Sequence, residues 1–334
     1  MNDCELLAVA YRGDIVESRH FGSVVVVDKT GKILYSRGNP ERMTFLRSAA
    51  KPFQVLPLFE TGAAEAFEFS QDEIAVMCGS HSGEDMHVQR IESILKKIGL
   101  DESNLQCGIQ RPFHKPTAQR LMQANERISQ LRNACSGKHS CMLAITRHKD
   151  WDLGNYMDLT HPVQQLMLNT VAQMTEYPAS QIATGLDTCG VPVFAVPLKN
   201  MALGYANLTN LEKYSGSRQD GIQEIQKAMG NFPELIAGTG RFTTDLLKAT
   251  DKKFVAKDGA EASFGIGVIP EGIGIAVKIE DGSERALPQV VMQILMELGS
   301  IDESTVNKLN KFKARIVKTY GGVPAGKIQA VKLF

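Results

Sequence analysis

In the stretch FLRSAAKPFQ (Phe45–Gln54), Ser48 and Lys51 stand three residues apart, a separation that puts both on one face of a helix. Pro52 follows at once and is tolerated only in a first turn, so the helix should begin near Ser48. The positive end of a helix disfavours a charged lysine and favours a developing alkoxide. A desolvated lysine there can act as a general base. The chemistry on offer is attack by a serine whose proton passes to a lysine. The plain alternative is a capping serine followed by an exposed lysine.

Other stretches supply partners that a cap does not need. S-x-x-K is the serine-nucleophile motif of β-lactamases and penicillin-binding proteins, where it is accompanied by a lysine on a late strand in K-T-G. Here FVAKDGAEASFG carries Lys257 and Gly259 as K-x-G, against the alternative of a surface turn. Between them, CGSHSGED sets Ser80, His81 and Ser82 in a glycine-flanked break before a helix, where hydroxyls and backbone N–H groups are exposed together. ACSGKHSC gathers Cys135, Ser136, Lys138, His139 and Cys141, and GLDTCGVP carries Asp187, Thr188 and Cys189. One cysteine from each, with a histidine or another donor, could hold zinc, although no C-x-x-C is present. Cys135 with His139 could also form a nucleophilic pair, while Cys107 and Cys141 read as small core residues. Asp187 reads as a turn former or as an acceptor for a substrate ammonium.

The elements that must position these residues follow from pattern. LLAVAYRG and SVVVVDKTGKILYSRG read as strands, the latter a hairpin turning at DKTG. SGEDMHVQRIESILKKIGL reads as a helix capped by Ser82, with Ile91, Ile94, Leu95 and Ile98 as its apolar stripe. CSGKHSCMLAITRHK and THPVQQLMLNTVAQMTEY read as helices, the second capped by Thr160. VPVFAVPL reads as a short apolar strand, and KFVAKDGAEASFGIGVIPEGIGIAVKIEDG as two or three β segments broken by glycines, before a closing helix in SERALPQVVMQILMELG. The basic cluster LNKFKARIVK reads as a solvated helix face. The fold class expected is α+β: one domain over 1–334 whose strand-rich segments, 1–40 and 233–282, join in one antiparallel sheet, flanked by helices of a middle segment, 48–230.

Bulk properties exclude several classes. The 334 residues are 43% hydrophobic and 22% charged, with 37 basic and 37 acidic side chains. Such a balance offers no electrostatic footprint for nucleic acid or an anionic membrane. No apolar run reaches the roughly 20 residues of a membrane span, and MNDCELLAVAYRGD lacks the layout of a secretory signal. A soluble, cytoplasmic protein is expected, its six cysteines free or metal-bound rather than paired.

These motifs, in this order, make the chain resemble the Rhizobium-type, thermolabile L-asparaginases. The resemblance runs over nearly the whole length and rests on RGDIVESRHFGS, RSAAKPFQ, CGSHSGE, CSGKH, GLDTCGVP, GRFTTDL and AKDGAE. It implies a fold similar to serine β-lactamases, penicillin-binding proteins and serine-dependent glutaminases. It also implies hydrolysis of L-asparagine to L-aspartate and ammonia, and a homodimer. Two Ser-Lys pairs are implied, Ser48 with Lys51 and Ser80 with Lys257. Zinc, with no organic cofactor, would be held by Cys135, Lys138, Cys189 and water. Asparagine would be contacted by Arg47, His139 and Asp187. Asp258, after Lys257, departs from the pattern, and an acid there should hold Lys257 protonated more readily. The competing readings are a related amidohydrolase acting on glutamine, a β-lactam or a peptide-like amide, and a zinc-binding protein without turnover.

Overall fold

The computed structural model describes residues 4–334. The apolar and β-branched runs near the start form strands, as the pattern predicts: β1 (Glu5–Arg12), β2 (Ile15–Val27) and β3 (Ile33–Arg37); β4 (Met43–Phe45) and β5 (Ala183–Leu186) carry no such signal, and β6 (Pro192–Pro197) is the expected apolar strand. Late in the chain come β7 (Phe254–Gly259), β8 (Ser263–Val268), β9 (Ile273–Ile279), β10 (Ala314–Lys318) and β11 (Pro324–Ala330). The main sheet runs β10-β11-β1-β2-β9-β8-β7 with β3 paired to β2, and a small sheet runs β4-β6-β5. Every pairing is antiparallel. The α+β architecture is therefore as expected, with strands of both chain ends in one sheet.

Several details differ. The segment expected to be strand-rich from 233 opens with helices, Pro233–Ile236 and Phe242–Ala249, because Thr243, Leu246 and Leu247 recur at helical spacing and are buried together. Strand β5 interrupts the helical middle and pairs with β6, the strand expected in VPVFAVPL. ARIVK is not a helix face but edge strand β10, joined to β11 by a turn in which Thr319 N–H donates to Val323 O. Its charges face solvent, as suits a sheet edge. The helix Asp85–Lys97 is capped by Glu84, whose N–H donates to His87 Nδ1 at 3.1 Å, whereas Ser82 donates to Ala237 O at 2.7 Å. The helix Pro162–Thr175 is capped by His161 rather than Thr160, its Nδ1 accepting from Val163 N–H at 3.2 Å. Both caps lie one or two residues past the expected hydroxyl, which is the usual error of boundary reading.

The glycines of β8 and β9 do not break those strands; they admit a helix. The helix Leu198–Asn207 lies directly on β2, β8 and β9. A Cβ on Gly265 would stand 1.8 Å from the Tyr205 ring. Tyr205 is fully buried, and its hydroxyl donates to Ala49 O at 2.7 Å, beside Ser48. The sheet, this helix and the Ser48 turn are thus one packed unit. Gly265→Ala is expected to lower stability by about 1–3 kcal/mol through overpacking. An unchanged Tm in thermal denaturation would show that Tyr205 moves aside freely.

Candidate active site

The residues singled out by type converge on one cleft of about 1090 Å³, lined among others by Arg47, Ser48, Ser80, Cys135, Asp187, Cys189 and Asp258. A second cleft, lined by residues such as Gln293, Lys311 and Gln329, holds none of this chemistry.

The floor is the turn that carries Ser48. Residues Arg47–Ala50 form a 3-10 turn that runs straight into the helix Lys51–Gln54, with Pro52 in the first turn. Arg47 has φ +51°, a left-handed backbone unusual for a side chain of its size. The turn is fixed from three sides. Leu46 N–H donates to Phe194 O of β6 at 3.0 Å, Ser263 Oγ donates to Leu46 O at 3.2 Å, and Tyr205 holds Ala49. Strand β7 approaches closely because Gly259 has no side chain: a Cβ there would meet Leu46 O at 2.7 Å. That approach is the structural reason for the glycine in K-x-G.

Lys51 is wholly buried, so it is no exposed helix lysine. Its Nζ is bonded to Gly79 O at 2.7 Å, Ser80 Oγ at 2.9 Å and Ala134 O at 3.2 Å. The serine in contact with Lys51 is therefore Ser80 rather than Ser48. Ser48 lines the cleft, and its hydroxyl has no hydrogen-bond partner among the described residues. The environment of Lys51 satisfies either protonation state. An ammonium gives one N–H to each acceptor. A neutral amine gives two N–H to the carbonyls and accepts the Ser80 hydroxyl on its lone pair.

Lys257, fully buried on β7, bonds Asp258 Oδ1 at 2.8 Å and Asp258 O at 2.6 Å, and no bond joins it to Ser80. Burial pushes Lys257 down to about 8, with the Asp258 carboxylate opposing and Lys51 assisting. The expectation that Asp258 would hold Lys257 protonated gave the direction of that one contribution, but desolvation is larger. Burial would raise the Asp258 carboxyl, yet Lys257 and Arg241 hold it well below the usual carboxylate range. Arg241 Nη2 donates to Asp258 Oδ2 at 2.9 Å and Thr243 Oγ1 to Oδ1 at 2.9 Å. Sequence reading gave no role to Arg241 or Thr243, although both lie in the quoted stretch GRFTTDL.

Arg47 and Asp187, read as separate contacts for a carboxylate and an ammonium, are paired with each other. Arg47 Nη2 and Nε donate to Asp187 Oδ1 at 2.9 and 3.2 Å, and Thr188 N–H donates to the same oxygen at 2.8 Å. Lys138 Nζ lies 3.7 Å from Asp187 Oδ2. Asp187 is held below its ordinary range: burial opposes this, but Lys138 and Arg47 outweigh it.

The Cys135 and Cys189 thiols share a hydrogen bond beside Lys138. That bond pushes Cys135 up, with burial adding to it. The same bond holds Cys189 down at about 5 against burial, with Lys138 assisting. Burial lowers Lys138, but the two sulfurs and Asp187 raise it further than burial lowers it. No three His, Cys, Asp or Glu side chains among the described residues are grouped to hold a metal. Zinc would find two soft sulfurs and one amine, and would have to expel the Lys138 proton and the proton that the thiols share. All six cysteines are free.

His139 is fully buried, and burial and Lys138 push it down to about 3, so the ring is neutral. Gln106 N–H donates to Tyr156 Oη at 3.0 Å, leaving the Tyr156 proton for His139 Nδ1 at 2.7 Å. His139 Nε2 then carries the ring proton and has no partner. Tyr156 sits in an irregular turn, and nothing in the sequence pattern marks it.

The chain is similar in structure to a beta-lactamase from Mycobacterium bovis, at 12% identity and TM-score 0.44, covering 83% of this chain and 94% of that one. It is also similar to the D-alanine carboxypeptidase AmpC from Burkholderia cenocepacia, at 12% identity and TM-score 0.37, covering 87% and 93%. Likeness this loose carries no functional weight. No curated protein matches in sequence. The family L-asparaginase II matches residues 8–330, nearly the whole length. The chain belongs to the L-asparaginase II family.

Proposed function

We propose that the protein hydrolyses L-asparagine to L-aspartate and ammonia through a serine ester. The observation that carries this reading is a buried lysine bonded to one serine at the floor of a cleft, with a second, unpartnered serine and an Arg–Asp pair beside it. A free amino acid is a zwitterion. Its carboxylate can take Arg47 bidentately and its ammonium can take Asp187, so the substrate divides a pair that is already in place. The charges of the site are then matched rather than left buried and alone.

In this reading Ser48 is the nucleophile, because it lines the cleft and its hydroxyl has no other partner. Attack on the side-chain amide carbon forms the Oγ–C bond, and the proton passes to neutral Lys51, with Ser80 as the hydroxyl already bonded to that amine. Backbone N–H groups, including that of Ser48, hold the oxyanion. Lys257, pushed to about 8, supplies a proton to the departing ammonia. Water then attacks the ester carbon, losing a proton to the now neutral Lys257, and as the C–O bond breaks Lys51 returns its proton to Ser48. The family match supports amide hydrolysis. Asparagine over glutamine is a choice of one methylene, about 1–3 kcal/mol in a pocket. An ammonia-release assay with both amides tests the reading. Turnover of asparagine about tenfold or more above glutamine is expected, and no release from either overturns it.

Zinc belongs to the same reading as a bound ion on Cys135, Lys138 and Cys189. It would order the wall behind Asp187, and no step above depends on it. Purified protein should carry zinc by elemental analysis, and the Cys135→Ala/Cys189→Ala variant should lose it. Equal metal content in both would refute these ligands. The reading also extends to a cytoplasmic homodimer. No described helix is long and apolar enough to cross a membrane.

A further inference from the structure

The cleft is much larger than free asparagine requires. Its volume of about 1090 Å³ reaches the top of the roughly 300–1,000 Å³ typical of sites for drug-sized ligands. With the zwitterion on Arg47 and Asp187 and the amide carbon over the serines, a wide outer part remains. Ile109, Phe113, Lys115, Glu284 and Arg315 also line the cleft. Ile109 is 61% and Phe113 53% exposed, so an apolar surface is open in the cleft. The Arg241 guanidinium lies over the Phe113 ring at 5.7 Å while it bonds Asp258, which ties this surface to the inner site. Lys115 and Arg315 have no hydrogen bond or ion pair among the described residues. The Arg241–Asp258 pair cancels, so two uncommitted cations stand against the single acid Glu284.

An apolar surface beside spare positive charge, reached from the amide nitrogen, is complementary to an amino acid. We propose that this site also cleaves β-aspartyl peptides, in which the side-chain amide nitrogen of the aspartyl residue carries a second amino acid. The head of such a molecule keeps the free ammonium and carboxylate of asparagine, so Arg47 and Asp187 bind it unchanged. The second residue rests its side chain on Phe113 and Ile109, and its carboxylate meets the spare positive charge that Lys115 and Arg315 bring to the cleft. The reaction balances as for asparagine. The serine Oγ–C bond forms as its proton passes to Lys51, the C–N bond breaks, and Lys257 gives its proton to the amine of the released amino acid. Water then adds to the ester carbon, yielding aspartate and the free serine. The inference rests on the asparaginase reading, from which it differs only in the leaving group.

The test compares L-asparagine, β-L-aspartyl-L-phenylalanine and the C-terminal amide of that dipeptide on the whole chain, following ammonia and phenylalanine or its amide. The dipeptide should be cleaved, with kcat/KM about fivefold above its amide, the ratio that one or two exposed charge contacts supply. The Lys115→Ala/Arg315→Ala variant should erase that preference and leave asparagine turnover within about twofold. Asparagine cleavage with an inert dipeptide overturns the proposal and leaves the asparaginase reading standing. An acid-over-amide preference unchanged in the double variant overturns the assignment of the two cations. Dipeptide cleavage with inert asparagine supports the larger leaving group and overturns the asparaginase reading instead.

Discussion

Replacing Lys51 by methionine should lower kcat for L-asparagine by about 10³-fold or more, the scale of removing an activating base from a nucleophile. The side chain is fully buried and touches three acceptors, two of them main-chain carbonyls on separate segments, at Gly79 and Ala134. Methionine fills the space but leaves those groups unpaired, at about 1–3 kcal/mol each. Circular dichroism and a melting curve are therefore needed beside the assay. Lys51→Arg separates charge from base chemistry. A guanidinium keeps the positive charge and donates to the same carbonyls, but it does not deprotonate in a protein. Loss of activity in both variants, with folding retained, makes Lys51 the base. Activity near wild type in the arginine variant would make it an electrostatic aid. The serines then assign themselves. Ser48→Ala should abolish turnover, whereas Ser80→Ala should retain a fraction, about 10²-fold below wild type, as a lost proton carrier would. The reverse order would make Ser80, the serine that Lys51 touches, the nucleophile.

Local pattern reaches single elements well and pairings poorly, and the site shows why. Strands β1, β2 and β3 and the three strands β7, β8 and β9 were visible as β-branched runs, because burial on a sheet demands those residues in sequence. Strand β10 was not, because an exposed edge tolerates the charges of ARIVK. The Ser48 turn was legible from Pro52, a residue with only one place in a helix. Which lysine meets which serine was not, because Lys51–Ser80 and Lys257–Asp258 are set by three-dimensional packing. Burial of Lys51 turns on segments as far apart in sequence as Gly79 and Ala134. The Arg47–Asp187 pair spans 140 positions, and each residue could be given a ligand role without any sign that they bind each other. Tyr156 carries no signal at all, since its task is to accept one N–H and orient one imidazole.

Asp258→Asn should destabilise the fold by about 3 kcal/mol near neutral pH, the scale of breaking a buried ion pair from one side. The size of that loss should depend on pH in a direction fixed by the two partners. The Asp258 carboxyl is lowered on folding: burial works against this, but Lys257 and Arg241 prevail. Its stabilisation is therefore complete above the unfolded carboxyl value near 4 and is lost as pH falls below that. Lys257 is also lowered, to about 8, by burial against the pull of Asp258. A lowered lysine penalises the fold while the unfolded lysine is charged, and the penalty recedes as pH rises from about 8 toward 10.4. Without Asp258 the Lys257 value falls further, so the variant carries a larger penalty at and below neutral pH. The gap between wild type and variant should be widest from about pH 4 up to the variant's lowered Lys257 value, and its lysine part should be gone by about pH 8, as denaturant unfolding across pH would show. A gap that does not shrink as pH rises to about 8 would mean that Asp258 does not hold the charge on Lys257. The same substitution bears on catalysis. If Lys257 gives its proton to ammonia, kcat falls as pH rises through about 8 in the wild type, and the fall moves to lower pH in the variant. A limb that stays in place assigns it to another group and removes Lys257 from the proton path, leaving the Lys51–Ser80 couple to serve both attack and departure.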